Sequence, residues 1–135
     1  MLSETLVHGG WGAILIYGEN RKEISGFNPE TTNNIMEITA VLEAVKCLKF
    51  SCEITIYSDS AYVVNCFKQG WIYNWQKNNW KGSDKKQVKN KELWEELYNE
   101  LSKHKFEFVK VKGHSDNELN NRCDFLATEE IKKNA

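Results

Sequence analysis

The sequence predicts an α/β layer fold, and three observations carry the prediction. Glu53–Tyr57 is a short run of β-branched and aromatic residues that breaks at Ser58-Asp59-Ser60 into a helical run. Thr31–Phe50 and Lys91–His104 carry apolar residues at helical spacing. Strand-like and helix-like runs alternate along the chain, as a layered α/β or α+β fold requires. The 135 residues are read as one domain, 1–135, with room for one real core. No apolar run approaches a membrane span and no signal-peptide pattern opens the chain, so the expected location is the cytoplasm, with no membrane partner. Cys47, Cys52, Cys66 and Cys123 are scattered, and read as free thiols of a reducing compartment.

In chain order, Trp11–Gly18 reads as a strand between turns at Gly9-Gly10 and Gly18-Glu19-Asn20. Arg21–Phe27 pairs back on it as a hairpin that Asn28-Pro29 ends. Thr31–Phe50 is the first long helix, with Ile35, Ile38, Val41, Leu42, Val45 and Leu48 as its apolar stripe. The Glu53–Tyr57 strand and the Ser60–Gln69 helix follow, the latter stopped by Gly70. Trp71–Lys77 is a short helix, and Asn78–Asn90 a polar, lysine-rich loop. Lys91–His104 is amphipathic, with Leu93, Trp94, Leu97 and Leu101 inward. Lys105–Val111 is a strand, a loop holds Gly113-His114, and a last helix covers about Asn120–Lys132 with Cys123, Leu126 and Ile131 on its inner side.

Three carboxylates hold comparable places. Glu37 is early on a helix, Asp59 is at a strand end, and Asp124 is early on the last helix. Open α/β sheets bind ligands outside the carboxyl ends of their strands. An oxygen-rich cluster suits Mg²⁺ or Mn²⁺, and two such ions clamp the attacking and leaving oxygens of a phosphodiester. His114, on a loop after a strand, could move a proton. Each residue also has a structural reading. Asp59 could cap the next helix, Asn34 and Glu37 could form a variant capping box, Asp124 could be a solvated helix residue and His114 a plain loop residue.

The net charge of −1 hides an asymmetry. Lys68–Lys91 carries seven lysines against one acid, Asp84, so +6 falls on that segment and −7 on the remainder. Trp71, Tyr73, Trp75 and Trp80 are interleaved with those lysines. Cations among aromatics favour a nucleic acid, whose phosphates take the charge and whose sugars or bases pack on rings. The bland reading makes the tryptophans core and the lysines solvated. We expect Trp71 and Trp75 to be divided between packing and contact. Thr32, Asn33, Asn34 and Asn90 can hydrogen-bond phosphate, sugar or base edges, or serve as caps and turns.

TTNNIMEITAVLEAV, IYSDSAYVV, WIYNWQKNNWKGSDKKQVKNKELW and VKVKGH followed by NNRCDFLA resemble, in order and spacing, bacterial type 1 ribonuclease H. The resemblance covers roughly Gly9–Ile131. It implies a ribonuclease H-like mixed sheet flanked by helices on both faces, and Mg²⁺-dependent hydrolysis of the RNA strand of an RNA/DNA hybrid. Glu37, Asp59 and Asp124 match three of the family's four metal-binding carboxylates, and His114 its loop histidine. Lys68–Lys91, with Lys77, Lys85 and Lys86, matches the basic protrusion that grips the DNA strand. Thr32 and Asn90, with Ser60 near them, match residues holding a DNA phosphate. Asn33 and Asn34 match residues that read the minor groove.

The chain departs from the family pattern at its start. The pattern opens with a central strand ending in Thr-Asp-Gly, and counting back from Gly9-Gly10 puts that aspartate before Met1. No aspartate precedes Asp59. The expectation is therefore a first strand missing or shortened and a first carboxylate absent. The natural protein is longer, or Leu2–Val7 rebuilds a short strand with Glu4 as surrogate ligand, or the chain is a remnant that binds hybrids without cutting them. A dimer exchanging N-terminal segments would also repair the sheet. Ile35, where the family has arginine, and Ala61, where it has a polar residue, are lesser departures. A plain α/β domain without a nucleic-acid role is the remaining alternative.

Overall fold

The computed structural model describes residues 7–81, 88–111 and 118–134. Glu4, Lys85, Lys86 and His114 lie outside the described residues.

Strands β1 (Val7–Tyr17) and β2 (Asn20–Thr31) form an antiparallel hairpin. Its loop is Gly18-Glu19, and Gly18 has φ +59°, in the left-handed region that hairpin turns give to glycine. Both strands outrun their predicted ends, for two reasons. Gly9 and Gly10, predicted as a turn, lie inside β1 because two helices press on it there. Pro29, predicted to end β2, is absorbed by a bulge. Gly9 pairs with Asn28 and Val7 with Thr31, so Pro29 and Glu30 together face one residue of β1.

Helix α1 (Asn33–Lys46) follows, then β3 (Glu53–Ser58), α2 (Ala61–Lys68), α3 (Trp71–Lys77), α4 (Lys91–Leu101), β4 (Lys105–Lys110) and α5 (Glu118–Lys133). The predicted helices over Thr31–Phe50, Ser60–Gln69 and Lys91–His104 were too long. Thr32, Ser60, Gln69 and Ser102 are caps rather than helical residues, and α1 already ends at its C-cap Cys47. β3 and β4 pair in parallel from Glu53↔Lys105 to Ser58↔Lys110. Among the described residues the strands form two ladders, β1–β2 and β3–β4, rather than one continuous sheet. No described strand bridges β1 to β3.

The core lies between the helices α1, α2 and α4 and the inner face of β3–β4. Ile38, Val63, Leu97 and Leu101 are fully buried there, with Ile54, Ile56 and Phe106 packed against them. β3, which its β-branched residues mark as a buried strand, is shielded on one face only, at Ile54, Ile56 and Ser58. Tyr57 is 66% exposed, because no described helix covers that side of the strand.

Helices flank both faces of β1. On one face Met36 of α1 abuts Gly9; on the other, α5 lies with its backbone against Gly10 and Gly12. A Cβ on Gly12 would stand 2.6 Å from the Cys123 carbonyl oxygen and 2.8 Å from Leu126 Cβ. Backbone cannot yield as a flexible side chain does. Gly12→Ala is therefore expected to cost about 1–3 kcal/mol, seen as a lower urea midpoint. An unchanged midpoint would show that α5 shifts freely.

Candidate active site

The helix start that carries Glu37 is built by Thr32. Its Oγ1 accepts from the Ile35 N–H at 3.2 Å, making Thr32 the N-cap of α1. Asn34 is thus not the cap but the second helical residue. The capping-box reading of Glu37 fails with it, since the residue three after Thr32 is Ile35. Asp59 loses its bland reading in the same way. Ser60 caps α2, its Oγ accepting from the Val63 N–H at 3.2 Å, and Ser60 N–H donates to Ser58 Oγ at 3.1 Å. Asp59 is half-buried where β3 ends. The end of β4 is tied beside it, Val111 N–H donating to the Ser58 carbonyl at 2.9 Å. Asp124 is exposed on α5.

These three elements bring their carboxylates to face one another. The Glu37 carboxyl is pushed up to about 7, first by burial, then by the charge of Asp59, then by that of Asp124. Among the described residues no three His, Cys, Asp or Glu side chains stand close enough to hold an ion as placed. The two observations concern different ranges. Charge repulsion acts across several ångströms, whereas ligation needs oxygens within about 2–2.6 Å of a shared point. The three carboxylates are thus near enough to act on one another by charge without forming a closed ligand set, and the Cys123 thiol also feels Asp124 and Asp59.

A raised carboxyl pKa makes a signed prediction. The folded state favours the protonated Glu37, so the stability it contributes is fully present below about pH 4.5 and is lost as pH rises through about 7. In buffer with a chelator, stability should fall by on the order of 2 kcal/mol from about pH 5 to about pH 8, after allowing for partial exposure. Glu37→Gln should flatten that slope in urea titrations. A slope that survives the substitution would place the titration elsewhere.

The expected substrate-contact residues divide. Asn33 is exposed and Asn34 half-buried on the first turn of α1. Asn90, with φ 62°, is the N-cap residue of α4 but makes no side-chain cap bond; its Nδ2 donates to the Tyr62 hydroxyl at 3.5 Å. Trp71 is exposed, while Trp75 packs 6.1 Å from Trp94 and 6.3 Å from Trp80, ring centre to ring centre. Lys77 is exposed at the end of α3. Sequence reasoning missed Arg122 and Glu23. They join through two short hydrogen bonds across 99 positions, and no local pattern announces such a pair.

The chain matches the RNase H family model over residues 3–132. It is 61% identical over 127 residues to the ribonuclease H of Acetivibrio thermocellus, a match covering 94% of this chain and 86% of that one. Among solved structures it is similar to LC9-RNase H1, a type 1 RNase H with the type 2 active-site motif (TM-score 0.77, 20% identity, 100% of this chain and 75% of that one). It is also similar to LC11-RNase H1 in complex with an RNA/DNA hybrid (TM-score 0.70, 23% identity, 94% and 88%). These two likenesses speak for the fold.

Proposed function

Since the chain belongs to the ribonuclease H family of endoribonucleases, we propose that it cuts the RNA strand of RNA/DNA hybrids, using Mg²⁺ or Mn²⁺ held by Glu37, Asp59 and Asp124. One observation supports the site: Glu37 on α1, raised first by burial, also feels the charges of Asp59 at the end of β3 and Asp124 on α5. The donor set is all oxygen, which fits these cations rather than zinc or copper. When bound, the cation supplies charge for the phosphodiester and acidity for an attacking water.

The chain's own residues do the rest. Glu37 gives up its proton when the cluster is loaded. A hydroxyl that accepts a cap bond retains a proton to donate, so Thr32 and Ser60 both cap their helices and reach a DNA phosphate, with Asn90 beside them. Asn33 and Asn34 face the minor groove. Trp71, Lys77, Lys85 and Lys86 grip the DNA strand, and Trp75 packs α3 against the core. His114 is assigned proton transfer on family likeness alone. The cytoplasm is the proposed compartment, supported by four free thiols. No helix among the described residues is long and apolar enough to cross a membrane.

A second reading is hybrid binding without cleavage. The deciding experiment is cleavage of a hybrid labelled on its RNA strand, with Mg²⁺ and with Mn²⁺, alongside salt-dependent binding. Metal-dependent cutting supports the enzyme. Binding that falls steeply with salt, without cutting, supports the second reading.

A further inference from the structure

α5 meets β1 across a smooth surface. At Gly10 and Gly12 the strand offers no side chain, and the Ala127 and Cys123 carbonyls of α5 lie directly on its backbone. Ordinary helix-on-strand packing is keyed by side chains that interlock. Here the keys are missing over two successive positions of that face. At those two positions no interlocking side chain sets the register of α5 along β1, and Asp124 rides on it.

Polar contacts to β2 supply the missing key. Arg122 Nε donates to Glu23 Oε2 at 2.8 Å, and Arg122 Nη2 donates to Glu23 Oε1 at 2.9 Å. Arg21 Nη2 also donates to Glu23 Oε2, at 3.1 Å, steadying the acceptor. Two turns further along α5, Ser25 Oγ donates to Glu130 Oε1 at 2.7 Å. Glu23 and Ser25 are two apart on β2 and so share a face. A planar fork on a carboxylate sets orientation as well as distance. Two anchor points along the helix set its slide, and the fork sets its roll. Arg122 stands two residues before Asp124.

We propose that Arg122 and Glu23 are positioning residues, registering α5 so that Asp124 faces Glu37 and Asp59. The proposal rests on the proposed metal-dependent reading. The half-exposed pair adds modestly to stability, so the test separates positioning from stability.

The test uses the full chain with Arg122→Ala, Arg122→Lys, Glu23→Arg, Arg122→Glu and the charge-exchanged double variant Glu23→Arg/Arg122→Glu. Three quantities are read: kcat and KM on a labelled hybrid, Mn²⁺ affinity by calorimetry, and the alkylation rate of Cys123 by peptide mapping. Cys123 is half-buried on α5; because the Glu23 charge acts on its thiol directly, the Arg122→Ala and Arg122→Lys variants, which keep Glu23, are the ones whose labelling reports the seating of α5 without any activity. Each single variant should lower kcat and Mn²⁺ affinity about tenfold and leave KM unchanged, and Arg122→Ala and Arg122→Lys should speed Cys123 alkylation. Lysine should fail to rescue, because it lacks the fork, while the double variant should recover most of the loss. Single variants that leave kcat, Mn²⁺ affinity and Cys123 labelling at the parent level overturn the proposal. So does a uniform loss of thermal stability that accounts for every change. If the parent neither cuts nor binds Mn²⁺, the functional reading falls. Cys123 labelling alone then decides whether the clasp registers α5.

Discussion

Asp59→Asn is expected to lower metal-dependent cleavage of a labelled hybrid by about a hundred- to a thousandfold, with hybrid binding retained. The substitution keeps size and shape while removing one charge. It should not disturb folding, because Ser60, not Asp59, caps α2, and the Ser58–Ser60 bond tightens the turn. A second consequence separates a functional carboxylate from a structural one. Asp59 is the larger of the two charges that raise Glu37. Its neutralisation should lower the Glu37 pKa and reduce the loss of stability at neutral pH in chelator. Lost cleavage with improved metal-free stability is the expected pair of results. Cleavage at the parent rate would remove Asp59 from the site, and with it the assignment of the cluster.

Trp94→Ala should be the most destabilising single change in the described core, at about 3–5 kcal/mol. That is a large share of the roughly 5–15 kcal/mol that holds a domain together. Trp94 is fully buried. Its ring stands 5.4 Å from Tyr62, 6.1 Å from Phe67 and 6.1 Å from Trp75, and its Nε1 donates to the Tyr62 hydroxyl at 3.2 Å. Loss of the ring opens a cavity and removes the partner of a part-buried hydroxyl. Trp94→Phe keeps most of the volume and should cost less. Equilibrium urea unfolding distinguishes them, and equal midpoints for both variants would refute the packing argument. The effect reaches the substrate face, because Tyr62 also receives the Asn90 amide and Trp75 anchors α3.

The gap between sequence and structure follows interaction range. Trp71–Lys77 was legible to the residue, since a helix made of adjacent residues displays its own period. Of the predicted apolar stripe, Ile38, Val41, Leu42 and Val45 are buried on α1, whereas Ile35 is half-buried, Leu48 lies beyond the helix, and the unpredicted Met36 is buried against Gly9. Gly9-Gly10 misled, because two glycines signal either a turn or a close approach of another element. Only the position of α1 and α5 tells which. Pro29 misled for a related reason, as a bulge depends on the partner strand. Asn34, Ser60 and Thr32 all offer capping oxygens, and the choice among them rests on where the backbone enters the helix.

Composition, periodicity and motif order by themselves determined the α/β class, the order of helices and strands, the basic segment, and three carboxylates at comparable places. These depend on residues near one another along the chain. Tertiary structure alone decided that Asp59 and Asp124 act on Glu37 and that Arg122 clasps Glu23. Those interactions join residues from 22 to 99 positions apart. A pairing at such range is set by how helices seat on strands, and no local run of residues encodes it.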